Sequence, residues 1–176
     1  MTIVSGRVLL WTALALGGCG YHLAGQTPDP LGPFSVESGA VRVPYLEAVG
    51  AAEEGARAEL SRLGALAPPA EASSRVVIEV LAVDEAPEGI AAVEGPAGAY
   101  PLSRGTTVSV TGRATLRRGQ DILRDTGDVR ATETLARAAD VALSLAARRE
   151  AVRRAAHVLG ERLGRRLLGY PEPGEP

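Results

Sequence analysis

The 176-residue sequence contains no lysine, so all 19 of its basic residues are arginine. A codon bias toward GC-rich triplets is sufficient cause, and any basic cluster in this chain is therefore an arginine cluster. Cysteine occurs once, which excludes an internal disulfide and any cysteine-clustered zinc or iron–sulfur site. Aromatic residues make up 3%. The one tryptophan, Trp11, lies in an apolar amino-terminal run, so a core must be built from Val, Leu, Ile and Ala. With a formal net charge of −2, the chain lacks the basic balance of a nucleic-acid binder, and no nucleic-acid partner is expected. Its length suits one domain.

Long apolar runs are also missing. The amino-terminal run, Val8 to Leu16 (VLLWTALAL), is far short of the roughly twenty residues of a spanning helix. It follows Arg7 and ends in Leu16-Gly17-Gly18-Cys19, the layout of a signal peptide closing in a lipobox. Small residues at Gly17 and Gly18 let extended backbone enter a peptidase that cuts between Gly18 and Cys19. The Cys19 thiol then accepts diacylglycerol and its freed amine an acyl chain, and two or more chains make a stable anchor. Those covalent lipids are the only attached groups expected; no cofactor or metal is. Gly20 is not the aspartate associated with inner-membrane retention, which favours the outer membrane.

Past the anchor, Gln26 to Pro33 (QTPDPLGP) reads as a turn-rich tether. Phe34 to Pro44 alternates as a strand, with Val41 and Val43 opposite Arg42. Leu46 to Leu63 reads as a helix with Val49, Ala52, Ala56, Leu60 and Leu63 on its apolar face, stopped by Gly64 and Pro68-Pro69. Glu54, Arg57, Glu59 and Arg62 fall off that stripe. Ser74 to Asp84 is a strand rich in β-branched residues. Asp84 to Arg104, rich in Pro, Gly, Ala and Glu, reads as a long loop. Thr106 to Arg117 alternates cleanly, with Val108, Val110, Ala114 and Leu116 on one face and polar residues on the other. A turn at Arg118 to Asp121 leads into a less regular strand, Ile122 to Thr134. Ala139 to Leu168 is a long helix carrying Leu145, Val152, Leu159, Leu163 and Leu167 in its stripe, with Glu150/Arg154 and Glu161/Arg165 as i,i+4 pairs.

The implied fold class is α+β: a four-stranded, mostly antiparallel sheet with two helices packed on one face and a polar opposite face. The expected organisation is a signal peptide at 1–18, a lipidated tether at 19–33, a domain at 34–170 and a loose tail at 171–176.

Catalytic chemistry finds no constellation. Of the two histidines, His22 lies three residues from the anchor and His157 reads as a helix-surface residue. No P-loop, GxSxG, HExxH or paired metal-ligand motif occurs, and the glycines of 89–98 lack the strand–turn–helix setting of a phosphate loop. A non-enzymatic protein is expected. The informative feature is a charge asymmetry: Arg104, Arg113, Arg117, Arg118 and Arg124 stand against one acid, Asp121, between positions 104 and 124. Guanidinium groups so grouped can grip phosphate or carboxylate; a solvated sheet face in a lysine-free chain gives the same pattern.

Cys19-Gly20-Tyr21-His22-Leu23-Ala24-Gly25, the VRVP at 41–44, the order of elements and the length together resemble the LPS-assembly lipoproteins (LptE-like). After VRVP the chain departs from many relatives, continuing YLEAVGAAEEG. The resemblance implies a lipoprotein that plugs a large LptD-like outer-membrane β-barrel, assists its assembly, faces the periplasm or barrel lumen, and binds lipopolysaccharide without catalysing a reaction. Arg113, Arg117, Arg118 and Arg124 are then the candidate contacts to lipopolysaccharide. Two other classes compete: an auxiliary lipoprotein of a lipid-transport ABC system or a peptidoglycan-synthase regulator, and a lipid-anchored periplasmic hydrolase.

Overall fold

The strand VVIEV at positions 76–80 organises the sheet, because both neighbouring strands pair with it in the computed structural model, which describes residues 32–95, 98–136 and 141–170 (backbone alone at 88–95, 98–104, 136 and 141–143). The signal peptide, Cys19 and its tether, His22 and the tail from Pro171 lie outside the described residues.

Strand β1 (Phe34–Ser38) runs parallel to β2 (Ser74–Gly95), and helix α1 (Leu46–Arg62) makes the crossover between them. β2 pairs antiparallel with β3 (Gly98–Arg118) along its whole length. The other side of β3 is shared: β4 (Asp121–Asp125) pairs with Thr115–Arg118, and β5 (Val129–Ala136) with Gly105–Gly112. The sheet is thus four strands wide, its last position filled by two short strands in succession. Helix α2 (Val141–Leu167) packs beside α1 on one face, so the α+β class and the one-sided helical layer agree with the sequence pattern, with β1 as the parallel exception.

Three boundaries differ from the sequence reading. The first strand stops at Ser38, well short of Pro44. Gly39 gives its N–H to the Ile78 carbonyl at 2.7 Å and the chain then turns toward α1, leaving Val41 54% exposed and Val43 buried. The span 84–104 is not a loop but a two-stranded ribbon, Ala86–Gly95 against Gly98–Thr107. Its Pro, Gly, Ala and Glu have poor strand propensity, yet register with β3 gives nearly every residue a cross-strand partner, the break falling at Gly89 and Arg104. The returning strand is interrupted at Thr126–Asp128. There Thr126 gives its N–H to the Ala114 carbonyl (3.0 Å) and its Oγ1 accepts from the Ala114 N–H (2.9 Å), while Gly127 adopts φ +65°.

The core lies between sheet and helices. Phe34, Val36, Val76, Ile78, Val80, Val108, Val110, Ala114 and Leu116 meet Ala52, Ala56, Leu60, Val152, Leu159 and Leu163. With one buried aromatic among the described residues, Phe34, close backbone approach takes the place of bulky side chains. A Cβ added at Gly160 would fall 2.0 Å from the Ala52 carbonyl oxygen, and one at Gly55 2.1 Å from that of His157. The contacts Ala52–Gly160 and Ala56–Gly164 advance together along both helices, so α1 and α2 run parallel, separated by little more than their backbones. Leu145, assigned to the apolar stripe of α2, is 54% exposed because the first turns of α2 precede the stretch that packs on α1.

Candidate functional site

Register decides where the arginines go. On β3, Val108, Val110, Ala114 and Leu116 are buried against the helices, so alternation sends Arg113 and Arg117 to the open face. Arg113 is already engaged there. Its Nε and Nη2 donate to Asp128 Oδ1 at 3.1 and 2.8 Å, and Asp125 lies 3.7 Å away. The hydrogen bond to Asp128, followed by the charges of Asp125 and Asp128, pushes its pKa above the ordinary arginine value. Arg117 stands directly across from Arg75 in register, and its Nε is buried with no hydrogen-bond partner among the described residues. Arg75 in turn donates to the Gly119 carbonyl (3.2 Å) and lies 3.7 Å from Glu37.

Arg118 and Arg124 turn the other way. Arg118, two residues past Leu116, donates from Nε to the Oγ of buried Ser74 at 3.2 Å. On β4, Arg117 pairs with Ile122 but Leu116 pairs with Arg124, so Leu123 forms a bulge. One extra residue flips the face of every residue beyond it. Arg124 therefore sits on the helix side, where Nη1 donates to the Leu167 carbonyl at the end of α2 (2.8 Å), a favourable place for a cation. The four candidate arginines are thus split between the two faces and do not form a single grip. Arg104 lies in β3, with only its backbone described.

Sequence reasoning missed Arg75 and Arg130, which with Arg113 and Arg117 make four arginines on the open face; pairing VVIEV against the strand at 106–117 by their apolar residues would have found Arg75. The open face is mixed in sign, since Arg75, Arg113, Arg117 and Arg130 share it with Glu37, Glu79, Asp125 and Asp128.

A second bulge, at Val80/Ala82, shifts β2 so that Val83 pairs with buried Val110 and Glu85 with buried Val108. Glu85 is thereby aimed at α2, where it pairs with Arg148, whose Nη2 also reaches the Tyr45 hydroxyl (3.1 Å). Glu133 of β5 pairs with Arg154 in the same way at 2.8 Å. Arg165 bonds Glu59 of α1 (3.4 Å) in place of Glu161, whereas Glu150 keeps its expected neighbour Arg154 at 3.5 Å. His157, half-buried on α2, lies 3.7 Å from Glu161.

Beside the edge of β1, a cleft of about 400 Å³ is lined by Ser35, Val36, Leu66, Ala67, Pro68 and Pro69, with Arg57 at its side. Arg57 already donates to the Val36 carbonyl (3.0 Å) and to Glu53 (3.1 Å). Among the described residues no three His, Cys, Asp or Glu side chains are grouped to hold a metal ion, and no helix is long and apolar enough to cross a membrane.

No family model and no curated protein matches the chain. Solved structures do share its fold. A Caulobacter crescentus protein described as a lipoprotein superposes with a TM-score of 0.52 at 12% identity, over 77% of this chain and 88% of that one. A minor lipoprotein from Acinetobacter baumannii superposes with a TM-score of 0.51 at 13% identity, over 79% and 92%. The chain thus has the α+β fold of two solved bacterial lipoproteins.

Proposed function

We propose that the protein is a lipid-anchored subunit of an outer-membrane lipopolysaccharide translocon, held in the membrane through Cys19. In this reading it plugs and helps assemble an LptD-like β-barrel and binds lipopolysaccharide without catalysing a reaction. The observation that carries the reading is the joining of CGYHLAG at the lipobox cysteine to a domain whose fold matches solved lipoproteins. The open sheet face supports it, because a plug in a wide barrel meets a polar lumen. Arg75, Arg113 and Arg117 then face the ligand, whose phosphates suit guanidinium groups, while Arg118 and Arg124 hold the sheet edge and the end of α2.

Affinity purification from detergent-solubilised outer membrane tests this. A large β-barrel should co-purify in stoichiometric amount. Recovery of an inner-membrane permease instead would move the protein to a lipid-transport ABC system, and recovery of a wall synthase to its regulation.

A further inference from the structure

The chain enters the domain beside the β3–β4 hairpin. Ser73 gives its N–H to the Pro33 carbonyl at 3.1 Å and its hydroxyl to the same carbonyl at 3.3 Å. Phe34 then pairs with Ser74, whose Oγ accepts from Arg118 at the hairpin turn (3.2 Å). Entry and turn are thus two strands apart, about 10 Å at the spacing of paired strands. Both helices end at this pole as well. Phe34 gives its N–H to Ala65 just past α1 (2.8 Å), and Arg124 of β4 reaches the Leu167 carbonyl. The chain from Cys19 to Leu31 spans at most about 45 Å fully extended, so acyl chains on Cys19 keep this pole close to a bilayer.

The hairpin has the composition of a membrane-interface segment. β4 is exposed at all five positions and pairs only with β3 among the described residues. Its adjacent aliphatics, Ile122 and Leu123, are 56% and 37% exposed. Register sets Ile122 across from Arg117, and Arg117 across from Arg75. Like charges directly opposite repel, and the buried Nε of Arg117 has no hydrogen-bond partner among the described residues. Arg118 and Arg124 flank the two aliphatics in sequence, with Asp121 the one acid between them. Aliphatics in such a frame enter a headgroup layer while guanidinium groups hold lipid phosphates. The far end of the sheet carries the other sign, with Asp84, Glu85, Glu88 and Glu94 in β2 against Arg104 in β3. That separation of charge turns the entry pole toward an anionic surface. The outer backbone edge of β4 limits the depth. Unpaired backbone groups are not tolerated in hydrocarbon, so the contact lies at headgroup level, where water reaches them.

We infer that the β3–β4 hairpin docks on the anionic phospholipid headgroups of the bilayer that holds the acyl chains, with Ile122 and Leu123 at headgroup level and Arg117 on lipid phosphate. Acyl chains joined to a basic patch make a two-signal attachment, and the hairpin fixes which end of the domain faces the bilayer. The inference rests on the anchored reading above, through Cys19 and not through the barrel.

The test uses the full-length lipidated chain carrying Trp11→Phe, so that an introduced tryptophan is the only one present. Ile122→Trp is reconstituted in mixed phosphatidylcholine–phosphatidylglycerol vesicles whose lipids are brominated near the top of their acyl chains. Its fluorescence should be quenched at least twofold more than that of Leu145→Trp, a site 54% exposed near the start of α2. The excess should disappear in phosphatidylcholine alone and in high salt. Arg117→Glu meets Arg75 across the strands, so it should leave the urea midpoint unchanged or higher while removing the excess. The vesicles hold no lipopolysaccharide, which separates this contact from capture on the open face. Equal quenching at the two positions, or quenching indifferent to phosphatidylglycerol and to Arg117→Glu, overturns the inference. So does a blue shift of Ile122→Trp in detergent that grows with protein concentration, which assigns the hairpin to a second copy. Mass spectrometry of Cys19 reads the anchor separately. Acyl groups present without excess quenching sink the hairpin alone, and excess quenching in a chain without acyl groups upholds the hairpin and sinks the anchor.

Discussion

Gly160 of α2 rests so close to Ala52 of α1 that a Cβ on the glycine would come within 2.0 Å of the Ala52 carbonyl oxygen and 2.8 Å of the Ala56 nitrogen. The obstacle is backbone on both counts, so no rotamer change relieves it. Glycine inside a helix costs about 0.5–1 kcal/mol relative to alanine; here close packing of the two helices offsets that cost. Gly160→Ala should therefore destabilise by about 3 kcal/mol, the upper range for overpacking, measured as a lower urea midpoint. Gly50→Ala is the opposite case, on the same layer of helices with nothing within 4 Å of the new methyl. It should stabilise by about 0.5–1 kcal/mol through helix propensity. If both substitutions shift the midpoint the same way, the packing account fails.

Glu59 links the two helices through charge. It is 6% exposed and accepts from Arg62 at 2.6 and 2.7 Å and from Arg165 at 3.4 Å. The Arg62 hydrogen bond, opposed by burial and helped by the charges of Arg62 and Arg165, holds its pKa below the ordinary value of 4.5. The folded protein thus takes up this proton less readily than the unfolded chain, and protonation favours unfolding. The stabilisation is fully present above pH 4.5 and is lost as pH falls through the lower folded-state value. Glu59→Gln should flatten the acid limb of the stability–pH curve while lowering the plateau at neutral pH. An unchanged acid limb in the variant would assign the acid sensitivity to other carboxylates.

Thr126 closes the gap between β4 and β5 by bonding both the N–H and the carbonyl of Ala114. Thr126→Val keeps the shape and strands the buried Ala114 N–H, which costs about 1–3 kcal/mol. Thr126→Ser, which restores the oxygen, should recover most of that loss. Differential scanning calorimetry on the pair separates the hydrogen bond from the methyl: equal losses would show that packing, not the bond, holds the junction.

The helices and the central part of β3 were legible because their signals are local. Apolar spacing marks α1 and α2, and Gly64 and Gly169, with φ of +69° and +79°, mark where they end. The ribbon was not legible. Its composition disfavours strands, and its order comes from cross-strand pairing that extends the β2–β3 register outward from the core. Arg124 was misplaced for a related reason, since the bulge at Leu123 reverses its face and no feature of DILRD announces a bulge. Glu59 sits off the apolar stripe of α1 by sequence, and only the arrival of Arg165 from α2 explains a carboxylate there. The lipobox and CGYHLAG are legible as motifs, but they lie outside the described residues.

The split of the arginines turns the proposed ligand site into a comparison between faces. Arg113 and its aspartates are exposed on the sheet surface, and such pairs contribute little to folding. Arg113→Glu with Arg75→Glu should therefore leave the urea midpoint nearly unchanged while weakening lipopolysaccharide capture at least tenfold. Arg124→Ala removes a partner of the Leu167 carbonyl, on the helix side. It should lower stability by about 0.5–1 kcal/mol, the worth of a cation at a helix end, and leave capture unaltered. The measurement is pull-down of purified lipopolysaccharide by each full-length variant, run beside the unfolding curves. If Arg124→Ala abolishes capture while the open-face pair has no effect, the ligand does not use the open sheet face and the helix side must be considered in its place.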